Sequence, residues 1–153
     1  MPAVAAESAW FLDTYVSFAV SGDDRQLSVI ESLARRGDSP PLHVQQTEDE
    51  LFVVLDGTVT VIVDGERSTL GAGEVACAPR GVPHTYRVDS EQARWLAVTT
   101  HGDFEAFMRA ASRPADRDTL PPPSGPPTPD QIQQLEALAD RHGIAFVGPP
   151  LAG

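Results

Sequence analysis

The chain contains no lysine: its 11 basic residues are all arginine, set against 22 acidic ones, for a formal net charge of −11. Without a side-chain amine, Schiff-base catalysis is excluded. With no basic run on so acidic a chain, neither nucleic acid nor an anionic membrane surface is an expected partner. Cysteine is nearly absent too. The single Cys77 rules out an intramolecular disulfide and suits a reducing compartment, so a cytoplasmic location is expected. Among small and apolar neighbours, that thiol reads as a small buried hydrophobe rather than a nucleophile. Long apolar runs are missing as well. Nothing approaches the ~18–20 residues that span a bilayer, and no basic segment leads into an apolar one at the N-terminus. A soluble, unexported protein is expected.

What the chain does contain is a succession of short β-rich runs. At 153 residues and 41% hydrophobic content it suits one domain with its own core. Trp10 to Val20 is apolar and β-rich and ends at the turn cluster Ser21-Gly22-Asp23-Asp24; a strand from Gln26 to Ala34 follows. Glu50 to Leu55 runs into Asp56-Gly57, and Thr58 to Val63 into Asp64-Gly65. Asp-Gly between β-branched runs signals a type I′ hairpin, so two in succession predict a meander. Further strands are expected at Glu74–Ala78, His84–Val88 and Ala93–Thr99, the spacing of an all-β sandwich or barrel. Apolar residues at 104, 107, 108 and 111 predict a closing helix. Thr128-Pro129-Asp130-Gln131 supplies an N-cap, a first-turn proline and a capping-box glutamine for a second helix stopping at Gly143. The expected division is a barrel with its closing helix over 1–112 and, over 113–153, a Pro-rich linker and helix packed on that barrel, since ~40 residues rarely hold a core alone.

Four polar residues stand out against this pattern. On a strand, residues two apart share a face, so His43 and Gln45 point the same way. Glu50 opens the next strand after a short polar turn, and a Pro-containing bend between Gly73 and Gly81 delivers His84. A small closed barrel can line one cavity with residues from such distant strands. Two imidazoles, a carboxylate and an amide oxygen form a mixed nitrogen and oxygen donor set suited to one divalent first-row metal, zinc, iron, nickel, manganese or cobalt. Glu50, beside Glu48 and Asp49, can also be read as one more solvated charge. Phe52 and Val54 share the parity of Glu50, and Tyr86 and Val88 that of His84; all four are candidates for a substrate pocket or for plain core.

The pattern Gly37-x5-His43-x-Gln45-x4-Glu50-x6-Gly57 resembles the first conserved motif of the cupin superfamily, with Gln45 where a second histidine usually stands. Gly73-x5-Pro79-x-Gly81-x2-His84 resembles the second motif, with Val88 in place of its closing asparagine. The Trp10-Phe11-Leu12 segment and the tail are more loosely similar to single-domain bacterial cupins called quercetin dioxygenase-like. The resemblance implies a jelly-roll β-barrel, a homodimer, a metal at the bottom of an apolar pocket held by His43, Glu50 and His84, and a glutamate that can also deprotonate a substrate hydroxyl. Phosphomannose isomerases, also cupins, hold zinc with one glutamine, two histidines and a glutamate, a precedent for Gln45.

The function so implied is a metal-dependent enzyme on a small phenolic or enolic metabolite, with Glu50 as general base. Two alternatives stay open: a non-oxidative cyclase, isomerase or lyase, towards which Gln45 points, and a small-molecule-binding cupin without turnover.

Overall fold

The structure is a computed structural model that describes residues 6–22 and 26–153; Asp23 and Asp24 of the expected turn cluster lie outside the described residues. Period-2 burial builds the strands. In β3 (Leu27–Arg35), Ser28, Ile30, Ser32 and Ala34 are buried and their neighbours are not. Its partner β10 (Gln92–Thr100) buries Ala93, Trp95, Ala97 and Thr99. The register sets Trp95 opposite Ser32 and Ile30 opposite Ala97, so large residues face small ones across the pair.

The other elements are β1 (Glu7–Phe11), β2 (Thr14–Val20), β4 (Pro41–Gln45), β5 (Glu50–Asp56), β6 (Val59–Val63), β7 (Glu66–Leu70), β8 (Val75–Ala78), β9 (His84–Val88), α1 (Asp103–Ala111), β11 (Arg113–Pro114), α2 (Pro129–Arg141) and β12 (Ile144–Pro150). They form two antiparallel sheets, ordered β11-β1-β2-β3-β10-β5-β8 and β12-β4-β9-β6-β7. The fold is an all-β jelly-roll barrel with a helical C-terminal extension. One core cluster, including Phe52, Val54, Val59, Val88 and Trp95, fills the space between the sheets. A second joins Val16, Phe18 and Ile30 to Phe107 and Met108 of α1 and Ala139 of α2.

Several expected elements change. Trp10 to Val20 is not one strand but a hairpin, turning at Leu12 and Asp13 and pairing Phe11 with Thr14. Leu12 takes φ +51°, a conformation its residue type does not signal. The second Asp-Gly makes the expected hairpin: Asp64 and Gly65 both have positive φ and join β6 to β7. The first does not. β5 pairs with β10 and β8 and β6 with β9 and β7, so Asp56-Gly57 carries the chain from one sheet to the other and β5, β6 and β7 do not form the expected meander. Gly57 has φ +84°, and a Cβ there would stand 2.5 Å from the Gln92 carbonyl oxygen. Gly57→Ala is therefore expected to cost about 1–3 kcal/mol, read as a lower urea midpoint. An unchanged midpoint would contradict this packing.

Cys77 is exposed rather than buried. It sits on the outer face of β8, an edge strand whose inner face supplies the buried Ala78. In the tail, Thr128 caps α2 in a reciprocal capping box with Gln131, and Gly143, at φ +71°, ends the turn that follows it. The chain then forms β12, which sequence reading missed. β12 pairs with β4, placing Ile144 beside Gln45 and Phe146 beside His43, so the tail completes the sheet that carries the candidate site. Among the described residues, no helix is long and apolar enough to cross a membrane.

Candidate metal centre

Strand pairing brings the four residues together from both sheets. His43 on β4 is the cross-strand partner of His84 on β9, and their ring centroids are 4.4 Å apart. Glu50 reaches in from β5 in the opposite sheet, where it is held between Ala78 and Thr99. His43, Glu50 and His84 are all buried, and each offers a ligand atom within 4.8 Å of the others. This cluster can hold a metal ion.

The hydrogen bonds assign the rings. His43 Nδ1 lies 2.8 Å from the Pro41 carbonyl oxygen and His84 Nδ1 lies 3.0 Å from that of Val82. A carbonyl accepts only, so each Nδ1 carries a proton, and each neutral ring has its lone pair on Nε2. Around His84 Nε2 stand two more acceptors, Gln45 Oε1 and Glu50 Oε2, both at 2.9 Å. Three acceptor atoms facing one another are reconciled by a proton on Nε2 or by a cation among them. The donor set thus fits a divalent metal on its own chemistry.

Electrostatics separates the two histidines. Burial, together with the neighbouring His84, pushes the His43 pKa down to about 4. Burial also pulls His84 down, but its hydrogen bond and ion pair with Glu50 outweigh that and leave it above the ordinary histidine value. In metal-free protein the His43 ring should remain neutral until about pH 4. The sign follows from linkage: as pH falls from the ordinary histidine value of 6.5 to about 4, the unfolded chain takes up a proton that folded His43 refuses, and this group's contribution to stability is lost over that window. Proton NMR of the chelated protein checks this, with titration of His43 near 6.5 as the contrary result.

Gln45 is 2% exposed and lies behind the cavity wall. Its amide nitrogen donates to Glu48 Oε2 at 3.4 Å, which turns the amide oxygen towards His84. Glu48 is not a solvated charge: it is 1% exposed and accepts the backbone N–H groups of Asp103 and Phe104, at 2.6 and 3.0 Å, at the start of α1. Those donors have no partner inside the helix, so the carboxylate satisfies them and anchors α1 to the β4–β5 turn. Burial raises its pKa to about 7 against the lowering effect of these bonds. Sequence reading missed Glu48 because an acidic triplet between strands ordinarily faces water. Glu50, from the same triplet, points inward with the β5 parity.

A cavity of about 790 Å³ opens from the cluster, with His43, Glu50 and His84 in its wall and a mostly apolar lining that includes Phe52, Tyr86 and Trp95. The Phe52 and Trp95 rings stack at 5.3 Å. Val54 and Val88, the other two pocket candidates, are fully buried core residues one step farther along their strands and do not line it. Tail residues, among them Ile132 and Leu135 of α2, close part of the wall.

Comparison with known proteins agrees with this architecture. Residues 29–99 match the cupin domain family model. The chain is 34% identical over 106 residues to quercetin 2,3-dioxygenase of Bacillus subtilis, a match covering 69% of this chain and 32% of that protein. It is 39% identical over 83 residues to a Myxococcus xanthus protein named endoribonuclease YbeY, covering 54% of this chain and 27% of the other. The chain thus spans about a third or less of the curated relatives it matches. Among solved structures, an RmlC-like cupin from Shewanella frigidimarina superposes with a TM-score of 0.57 at 16% identity, covering 63% of this chain and 85% of that one. The chain is a member of the cupin superfamily. Cupins bind small molecules and commonly one metal ion.

Proposed function

We propose that the chain is a metal-dependent enzyme acting on a small phenolic or enolic metabolite, with the kind of chemistry named for its Bacillus relative. The observation that carries this reading is the convergence of His84 Nε2, Gln45 Oε1 and Glu50 Oε2, at 2.9 Å contacts, beside His43, with the two histidines and Glu50 in the wall of an apolar cavity. His43, Glu50 and His84 would hold the ion, with the Gln45 amide oxygen as a fourth donor. Bound there, a divalent metal (zinc, iron, nickel, manganese or cobalt) supplies Lewis acidity and a template for a substrate oxygen.

The chain's own residues supply the rest. Glu50 is the carboxylate in reach of a bound hydroxyl and takes its proton. In the metal-free protein a proton on His84 Nε2 bridges that ring to Glu50, and a bound ion would take the proton's place. Phe52 and Trp95 offer stacked aromatic faces to a flat ring and keep water from the reacting oxygen. About 790 Å³ lies within the range of sites that enclose a drug-sized ligand. Oxygen uptake by the metal-reconstituted protein with 3-hydroxyflavone tests the reading, and uptake dependent on both protein and metal is expected.

Gln45 favours one second reading. An amide oxygen in place of an imidazole is a harder donor, compatible with zinc and a non-oxidative cyclase or isomerase. Conversion of an enolic substrate without oxygen uptake would select it, and binding without any turnover would reduce the protein to a ligand-binding cupin. We further place the protein in the cytoplasm as a homodimer. The exposed free Cys77 suits a reducing compartment, and only Ala9 and Trp10 of β1 are covered by β11, leaving part of an edge to pair. A monomer in sedimentation would remove the dimer.

A further inference from the structure

A second, half-buried carboxylate faces the same cavity. Asp38, in the loop between β3 and β4, lines it together with Tyr86 and Thr14. Tyr86 Oη donates to Asp38 Oδ2 at 2.9 Å, and Thr14 Oγ1 to Oδ1 at 3.3 Å. The Asp38 main chain is pinned as well: its N–H donates to the Arg35 carbonyl at 3.1 Å, and its carbonyl accepts from Val88 N–H at 3.0 Å. The Tyr86 ring is wedged between Phe52 and Trp95, at centroid distances of 5.1 and 5.0 Å. Neither partner is free to swing away.

This fixed carboxylate is incompletely satisfied. An ionised carboxylate offers about four acceptor positions, and protein hydroxyls fill two. Among the described residues no arginine forms an ion pair with Asp38, although Arg35 and Arg36 line the same cavity. A carboxylate drawn partly out of water without a cation favours further hydrogen-bond donors that complete its shell. Burial accordingly shifts its pKa upward. Tyr86 follows His84 by two residues on β9, so Asp38 and the metal cluster are reached from one face of that strand, with the two residues offset by roughly 7 Å.

We propose that Asp38, fixed by Tyr86 and Thr14, accepts a hydrogen bond from a second hydroxyl of the substrate, so that the cavity selects flat aromatic molecules polar at both ends. One oxygen meets the His43, Glu50 and His84 cluster; a remote hydroxyl meets Asp38; the apolar body lies along Phe52 and Trp95. This rests on the phenolic reading above and adds a specificity-determining residue to it.

Calorimetric titration of the metal-loaded protein with 3-hydroxyflavone and with 3,4′-dihydroxyflavone tests it. The wild-type protein should bind the dihydroxy compound about tenfold more tightly, the scale of one hydrogen bond to a charged group. Asp38→Ala should bring the two affinities within about twofold. Asp38→Asn, which keeps the side-chain shape and the Tyr86 contact, should shrink the preference at least threefold and decides the matter if the alanine variant does not fold. Equal affinity in the wild type, or a preference unchanged in the variants, overturns the role of Asp38 and leaves the phenolic reading standing. No binding of either flavone overturns both.

Discussion

Glu50→Gln is expected to lower turnover by about 10²- to 10⁴-fold, the usual contribution of a positioned general base. The substitution preserves shape and burial in a position that is 8% exposed, so the cavity and the strand pairing of β5 should survive. It keeps one oxygen near His84 Nε2 but removes the charge and the basicity. Elemental analysis of the same variant separates base from ligand. Substantial metal with lost turnover assigns the proton to Glu50, whereas metal and turnover lost together make it chiefly a ligand. Turnover at the wild-type rate would reject it as the base.

His84→Ala should have the largest effect on metal occupancy. Altering an outer partner of a metal ligand already costs about 10- to 100-fold in affinity, and His84 lies at the centre of the cluster, so a loss of about hundredfold or more is expected. The variant also leaves the Gln45 amide oxygen and the Glu50 carboxylate buried without their shared partner, a cost of about 1–3 kcal/mol in the metal-free protein. His43→Ala should lose metal as well, with a smaller stability effect, because its side-chain hydrogen bond runs only to the Pro41 carbonyl. Gln45→Ala distinguishes a ligand from a positioning group: a ligand lowers occupancy, whereas a wall residue leaves it unchanged. Dialysis followed by elemental analysis measures all three, and full occupancy in both histidine variants would exclude the site.

The fold class and the convergence of the candidate residues were more legible than the strand order because their signals are local. His43 and Gln45 are two apart on a strand, and that parity survives folding: both are buried on the same side of β4. The capping box at Thr128 and the hairpin at Asp64-Gly65 likewise depend on a few adjacent residues. Asp56-Gly57 carries the same dipeptide and does something else, because its flanking strands take partners from distant chain, β10 and β8 on one side and β9 and β7 on the other. β12 was hidden for a related reason. Ile144 to Phe146 is too short to declare a strand, and only the open edge of β4 makes it one. The roles of Glu48 and Asp38 were invisible since their partners come from distant chain, the start of α1 and the Tyr86 side chain, respectively.

Glu48 also explains how a glutamine can stand where a histidine would be expected. Gln45 has two ends that must both be satisfied, and the structure supplies a different partner for each: Glu48 for the amide nitrogen and His84 for the oxygen. The closing helix α1 thereby orients a side chain beside the candidate metal cluster, and β12 of the C-terminal extension reaches the same strand by pairing with β4.

The proposed function stands on the metal centre that His43, Glu50 and His84 can form. Its most direct test is the transition-metal content per chain of protein purified without an affinity tag or chelator and then reconstituted with each divalent ion in turn. Close to one equivalent is expected, retained through dialysis and lost in His84→Ala. No retained metal under any of these conditions would contradict it and leave the three side chains as contacts to substrate alone.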